Sequence, residues 1–376
     1  MRYRVTGAVA LLALSALIAA CGGGGEKKLS QSEIIKQSTP SLVKLVGKRG
    51  TGSGVVIDAN RGLVLTNAHV ALGNEGLKAK VGDDQSSITP ARLVAAAPCD
   101  DLAVVEMVQK PTTLKAIKVG NSRDMKAGDH VTALGYPAQV ISGGDQPSEQ
   151  QEFGQAVVAT DGNVSQANVA GNPDPSLPRF PSTIQHQAQI NPGNSGGPLV
   201  NDKGELVGIN TLKSTGGEIQ GQNYAISSGQ IQKILPQLRA GKSIANVGWN
   251  LTPLDQVDFP QVLASDPDFQ SATMGQRIKS FLDRPPKTTG LYNFGSQTGS
   301  PARDAKITFG DLVQSIDGEP VKSIQDVCDI VQAKSPGEKI SVQGRYINTA
   351  SQVQNSGIGQ VPSRFYDRWN VTITLK

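Results

Sequence analysis

Short apolar runs cut by clusters of Gly, Asn, Asp and Pro dominate the first two thirds of the chain. Ile-Ile-Lys-Gln-Ser-Thr-Pro-Ser-Leu-Val-Lys-Leu-Val-Gly (34–47) predicts a brief helix stopped at Pro40 and then a strand. Gly-Ser-Gly-Val-Val-Ile-Asp (52–58) and Gly-Leu-Val-Leu-Thr-Asn-Ala-His-Val (62–70) predict a β-hairpin whose second arm ends at His69. The pattern recurs at 91–97, 102–107, 116–119, 130–134, 156–164, 198–200 and 205–211. So many short strands, with no long helix between them, predict an antiparallel sandwich or barrel up to about residue 226.

At 229–240 the period changes. Ile231, Ile234, Leu235 and Leu238 share one helical face, Gly241 is a stop, and Pro236 is expected to kink or shorten the helix. Gly-Lys-Ser (241–243) marks a boundary between two units. In the second unit, Gly-Asp-Leu-Val-Gln-Ser-Ile-Asp-Gly-Glu-Pro-Val (310–321) reads as strand, Asp317-Gly318 turn, strand. Ser323 then caps a helix over 323–334, with Asp326 in capping-box position and Ile324, Val327, Cys328 and Val331 on its buried face. Residues 371–375 alternate as a closing strand, and two loop-like inserts, 254–290 and 347–368, carry much Pro, Gln and Ser.

Composition narrows the class. A chain of 376 residues, 38% hydrophobic and 18% charged, suits two or three soluble domains rather than a disordered or multispan membrane protein. A net charge of +4 without any basic run names no nucleic-acid partner. The N-terminus differs in kind, because Arg2 and Arg4 precede an apolar run, 8–20, interrupted only by Ser15. That run falls short of the about 20 residues a spanning helix needs and suits the core of an export signal.

Ile-Ala-Ala-Cys (18–21) resembles the bacterial lipoprotein processing box, in which cleavage precedes the cysteine and lipid is attached to its thiol. A plain signal cut after an Ala-x-Ala-like site, beside an incidental cysteine, is the alternative. Gly22, Gly23, Gly24 and Gly25 read as the tether behind a lipid anchor and favour a lipidated Cys21. Cys99 and Cys328 remain, about 230 residues apart, which predicts no disulfide framework. Each is expected to fill a core. No Cys/His spacing suits a metal, and no cofactor is expected.

Candidate chemistry centres on Asn-Pro-Gly-Asn-Ser-Gly-Gly-Pro-Leu (191–199), which can be a structural turn or a nucleophile loop. A serine hydroxyl needs a base to take its proton and backbone N–H donors to hold the oxyanion formed on attack. Without a Cβ, Gly193 can turn its N–H the same way as that of Ser195. Gly193-Asn-Ser195-Gly-Gly197 formally matches the elbow of α/β-hydrolases, but there the histidine follows the serine. Here His69, His130 and His186 all precede it. His69, then Asp101 at the start of 102–107, then Ser195 is the chymotrypsin order, on a chain read as all-β. Asp100 is expected to be solvated, His130 to lie at a strand end on the surface, and His186 to sit on a strand near the serine loop.

Thr-Asn-Ala-His-Val (66–70), Asp-Leu-Ala-Val (101–104) and the 191–199 loop closely resemble the three catalytic blocks of the HtrA family of trypsin-like serine proteases. The resemblance is strong over 34–240 and looser over 245–376. It implies a mainly β fold, a chymotrypsin-like double antiparallel β-barrel with a smaller PDZ-like α+β domain behind it. The corresponding organisation is a signal peptide at 1–20, a tether at 21–33, a protease domain at 34–241 and a PDZ-like domain with inserts at 245–376. It also implies that Ser195 attacks a peptide carbonyl, His69 moves the proton, Asp101 orients the imidazole, and the N–H groups of Gly193 and Ser195 form the oxyanion hole. Gln189, Gly208, Ile209 and Asn210 fall where the family lines its substrate cleft. Gln189 stands where trypsin has the aspartate that selects basic P1 residues, so small aliphatic P1 side chains are expected.

In the second unit, Val247, Gly248, Trp249 and Asn250 align with the carboxylate-binding loop of a PDZ domain, and 323–334 with its groove helix. The resemblance therefore implies an exported serine endopeptidase acting on misfolded or unfolded envelope proteins. It would take peptide C-termini at the PDZ-like domain and sit on a membrane through Cys21, facing the periplasm or cell exterior. Family members are commonly homotrimers, often through N-terminal aromatic contacts, whereas no Phe, Tyr or Trp occurs here between Tyr3 and Tyr136. A peptide-binding adaptor or chaperone with a silent protease site, and an esterase, are the competing readings.

Overall fold

The computed structural model describes residues 28–48, 50–74, 76–138, 148–171, 177–213, 222–265, 272–347 and 366–376. The expected signal peptide, Cys21 and most of the tether lie outside the described residues. The first described element is helix α1 (Gln31–Ser38), where the Ser30 hydroxyl accepts from the Glu33 N–H while the Glu33 side chain caps Ser30 in return.

Two closed antiparallel barrels follow. The first contains β1 (Leu42–Gly47), β2 (Gly50–Asp58), β3 (Leu63–Thr66), β4 (Lys78–Val81), β5 (Thr89–Ala97) and β6 (Leu102–Met107), and β1 pairing with β4 closes it. The second contains β7 (His130–Gly135), β8 (Val158–Gly171), β9 (Phe180–His186), β10 (Pro198–Asn201), β11 (Leu206–Lys213) and β12 (Asn223–Ser227), and β7 pairing with β10 closes it. The double-barrel expectation therefore holds. Several details differ from the sequence reading. The run 116–119 forms only an isolated bridge, Val119 with Leu206, although the Ile117 N–H also donates to the Val56 carbonyl of β2 at 2.9 Å. The strand expected to end at His69 stops at Thr66, and His69 sits on the short helix α2 (Ala68–Ala71).

Helix α3 (Glu149–Phe153) lies on the β7–β8 connection and is seated on the first barrel. Two fully buried lysines hold it. Lys44 Nζ reaches Glu152 Oε2 at 2.6 Å, and Lys80 Nζ donates to the carbonyls of Phe153 at 2.8 Å and Gln155 at 2.7 Å. Helix α4 (Ser228–Arg239) then buries Ile231, Ile234, Leu235 and Leu238 against residues of both barrels, including Leu65, Tyr136 and Ile209. Pro236 does not stop this helix, which runs three residues further to Arg239.

The third sheet has the order β13 (Trp249–Pro253), β14 (Leu291–Ser296), β15 (Asp311–Ile316), β17 (Lys339–Tyr346) and β18 (Arg368–Thr374), with β16 (Glu319–Pro320) paired to β15. The expected loop at 254–290 contains helices α5 (Phe259–Ser265) and α6 (Ala272–Leu282), which cover Tyr292 and Leu312. A short α7 (Pro301–Asp304) precedes β15, and α8 (Ile324–Gln332) has the predicted Ser323–Asp326 capping box. Residues 348–365 of the second expected insert lie outside the described residues.

The largest departure concerns the cysteines. Cys99 and Cys328 are joined by a disulfide, with Cα atoms 5.6 Å apart, so neither is the unpaired core filler expected. Wide sequence separation says nothing about distance once two domains are docked.

Candidate active site

His69, Asp101 and Ser195 come from three separate elements, and Thr211 links them: its hydroxyl bonds Asp101, which bonds His69, and its carbonyl accepts from the Ser195 hydroxyl. Asp101 follows the 3-10 turn Pro98–Asp100 and has φ 48° and ψ 40°, in the left-handed region. Its carboxylate is buried. The His69 N–H donates to Oδ1 at 3.1 Å, and His69 Nδ1 lies 3.0 Å from both carboxylate oxygens. Because a carboxylate can only accept, Nδ1 carries the proton and Nε2 is left as the free base. Desolvation works to lower the His69 pKa, but the Asp101 charge and its hydrogen bond outweigh this and hold the value above the ordinary one. The ring is 37% exposed, so its Nε2 edge remains open to a ligand.

Two further side chains fix the acid, and sequence reasoning passed over both. Thr211 Oγ1 donates to Asp101 Oδ2 at 2.7 Å, and Asn67 Nδ2 donates to the Asp101 carbonyl at 2.9 Å. Thr211 belongs to a β-branched strand and Asn67 to a turn, so the residue type of each already had a structural explanation.

The serine loop is tied to the first barrel through Ser53. Its Oγ donates to the Gly193 carbonyl at 2.7 Å and accepts from the Tyr136 N–H at 2.9 Å, and its N–H donates to the Ser195 carbonyl at 2.8 Å. The Ala138 N–H donates to the Pro192 carbonyl at 2.7 Å. In a planar trans peptide the N–H points opposite to the carbonyl, so the Gly193 N–H faces away from Ala138. Gly193 needs to be glycine, because its φ is +95° and a Cβ would lie 2.4 Å from the Tyr136 carbonyl oxygen. Gly196 is similar, with φ +85° and a Cβ that would lie 2.1 Å from the Ser53 carbonyl oxygen. The Ser195 hydroxyl donates to the Thr211 carbonyl at 3.2 Å rather than to His69. Such resting geometry is common before substrate binds. An imidazole held in this way can take a hydroxyl proton at Nε2 once Ser195 rotates.

Around this centre, Gln189 is exposed, and its carbonyl accepts from Thr160 Oγ1 at 2.7 Å. Asn210 pairs its backbone with Gly196 and Gly197, and its side chain donates to the Pro198 carbonyl at 3.1 Å. Gly208 packs on Ala225. Ile209 is fully buried between the barrels, so its side chain is not available to a substrate. Asp100, expected in solvent, is buried and accepts from Gln230 Nε2 at 2.7 Å, and burial raises its pKa. His130 is partly exposed and hydrogen-bonds Asp202 at 2.8 Å. His186 is fully buried on β9, and that burial lowers its pKa to about 3.

A trypsin-like peptidase domain description matches residues 52–209, and a PDZ domain description matches 295–343. Periplasmic serine endoprotease DegP of Salmonella typhimurium is 31% identical over 321 residues, which is 83% of this chain and 58% of that protein. Over most of its length this chain is similar to the HtrA family of serine proteases. Serine protease Do-like HtrA of Bacillus subtilis is also 31% identical, over 75% of this chain and 57% of its own. The HtrA-type protease AlgW with tripeptide aligns at 25% identity over 92% of this chain and 96% of its own, with a TM-score of 0.49. The chain thus spans about 58% of the length of the DegP relatives it matches.

In this HtrA-like chain the segment aligned with the PDZ carboxylate loop already uses two of its backbone donors. The Gly248 N–H donates to Asn246 Oδ1 at 2.9 Å, and the Asn250 N–H to Asn293 Oδ1 at 3.2 Å. Val247 and Trp249 are buried in the core of the unit. The Asn250 side chain donates to the Leu72 carbonyl at 3.1 Å, immediately after the helix that carries His69.

Proposed function

We propose that this chain is an exported serine endopeptidase that cleaves unfolded polypeptides through an acyl-enzyme formed on Ser195. The observation that carries the reading is the buried Asp101 carboxylate, which fixes the His69 tautomer and accepts from Thr211, whose carbonyl in turn accepts from the Ser195 hydroxyl. In this reading Ser195 is the nucleophile, His69 the base and then the acid, and Asp101 the orienting carboxylate. The N–H groups of Gly193 and Ser195 receive the oxyanion. Gln189 gives the cleft no carboxylate for a basic P1 residue, which supports small aliphatic P1 side chains. An interdomain disulfide supports residence in an oxidising compartment such as the periplasm, where the DegP relatives work by name. Attachment through Cys21 would then leave the domains outside the membrane, and Cys21→Ser should move the protein to the soluble fraction.

The test compares wild type with Ser195→Ala. A fluorophosphonate probe should label only wild type, and only wild type should degrade an unfolded protein. Absence of Ser195-dependent labelling would remove every hydrolase reading. Labelling without proteolysis would favour an esterase or a regulated site, a possibility the Ser195–Thr211 hydrogen bond keeps specific.

A further inference from the structure

We propose that the Cys99–Cys328 disulfide is a positioning device for the catalytic acid, tying the turn that ends in Asp101 to helix α8 of the PDZ-like unit. The inference rests on the reading of Asp101 as the acid of a serine hydrolase.

Asp101 occupies left-handed backbone, with φ 48°, which aspartate tolerates better than most side chains but which still costs free energy that its surroundings must offset. Its N–H closes the 3-10 turn on the Pro98 carbonyl at 3.0 Å, so the conformation of the acid is coupled to the placement of that turn. Two anchors position the turn from opposite sides. Gln230 of α4 holds Asp100 at 2.7 Å, and Cys328 of α8 holds Cys99 covalently. The first anchor is an ordinary hydrogen bond within the barrel unit. The second is covalent and comes from another domain.

Among the described residues, Asn250 bonds the Leu72 carbonyl at 3.1 Å, and the Arg179 N–H bonds Gln325 of α8. The linker also pairs with β5, where the Ile244 N–H donates to the Ala96 carbonyl at 2.9 Å and the Ala96 N–H to Ser243 Oγ at 3.1 Å, but neither bond reaches α8. Interfaces between domains of one chain open by default unless they are large and apolar, so these bonds alone would not hold α8 in register. With the disulfide, the PDZ-like unit is held on both partners of the catalytic pair, at the end of the His69 helix and two residues before Asp101. Both cysteines are buried, which slows thiol exchange. A permanent staple fits that burial better than a rapid redox switch does.

Both cysteines are buried and neither is among the residues aligned with the protease cleft, so loss of the staple should lower kcat and leave KM unchanged. The experiment uses the oxidised full-length chain and the Cys99→Ser/Cys328→Ser double variant. The variant should lose about tenfold in kcat on a peptide substrate, and in the rate of fluorophosphonate labelling at Ser195. In a parallel arm, dithiothreitol donates two electrons to the wild-type disulfide, yields two thiols and closes its own disulfide. This should produce the same fall, and reoxidation should restore the rate, while the double variant responds to neither treatment. If the double variant does not fold, the wild-type reduction and reoxidation series decides. An unchanged kcat after reduction would overturn the proposal, as would alkylation showing both thiols free in the native chain. Wild type that fails to label at Ser195 would instead overturn the hydrolase reading beneath it.

Discussion

Replacing Thr211 by valine tests the support of the acid most directly. Valine keeps the β-branched shape that suits β11 and preserves the carbonyl that accepts from Ser195, but it removes the hydroxyl that donates to Asp101 Oδ2 at 2.7 Å. Asp101 is 2% exposed, so water has little access to replace the lost donor. A hydrogen bond to a charged group is worth about 1.5–3 kcal/mol, and the loss of orientation should appear largely in the transition state, where His69 is positively charged. At about 1.4 kcal/mol per decade, the expected fall in kcat/KM is about 10–150-fold. Peptidase kinetics and the fluorophosphonate labelling rate would measure it, with a melting curve to show that the fold is retained. Thr211→Ser keeps the hydroxyl and should keep most of the rate. A folded Thr211→Val chain with unchanged kcat/KM would refute the assignment of Thr211 as the partner that orients Asp101.

Two buried groups give the domains opposite responses to pH. The Asp311 pKa is pushed up to about 7 by burial, so from about pH 4 to 7 the folded state holds a proton that the unfolded state releases. The PDZ-like unit should therefore lose stability as pH rises through that window. Asp311→Asn should remove that slope and raise the melting temperature at pH 8, as calorimetry would show. The His186 pKa is lowered to about 3, so below about pH 6.5 the unfolded state gains a proton that the folded state refuses. The second barrel should lose stability on acidification, and His186→Gln should flatten the loss in acid-unfolding curves. Lys44→Met leaves Glu152 buried without its partner and should destabilise the chain by about 3–5 kcal/mol in urea unfolding. Converting Glu152 to Gln as well should recover part of that. Peptides with Val or Ala at P1 should be cut in preference to those with Arg or Lys, and the reverse order in a peptide-library digest would remove Gln189 from the specificity argument.

Much of the framework was legible in the sequence because it is encoded locally. Strand alternation, the α4 face Ile231, Ile234, Leu235 and Leu238, and the Ser323–Asp326 cap each depend on residues within a few positions of one another. The order His69, Asp101, Ser195 was equally visible, since chain order needs no folding. Strand ends were less so. His69 lies on a helical turn rather than the strand, and the Asn67 that precedes this turn bonds the Asp101 carbonyl, a contact made 34 residues away. Strand β4, which carries Lys80, was not among the expected strands, and nothing local marks Lys44 and Lys80 as buried; both are fully buried where α3 from the other barrel supplies acceptors.

By itself, then, the sequence determined a mainly β class of sandwich or barrel, a family resemblance that pointed to the double barrel and PDZ-like unit, and the order of the candidate triad. Tertiary structure alone decided which polar groups complete that site. Thr211 reaches Asp101 across 110 residues, Ser53 reaches Gly193 across 140, and Cys99 reaches Cys328 across 229. Periodicity and caps arise from backbone geometry that repeats every two to four residues, whereas these pairings depend on where whole barrels and domains dock.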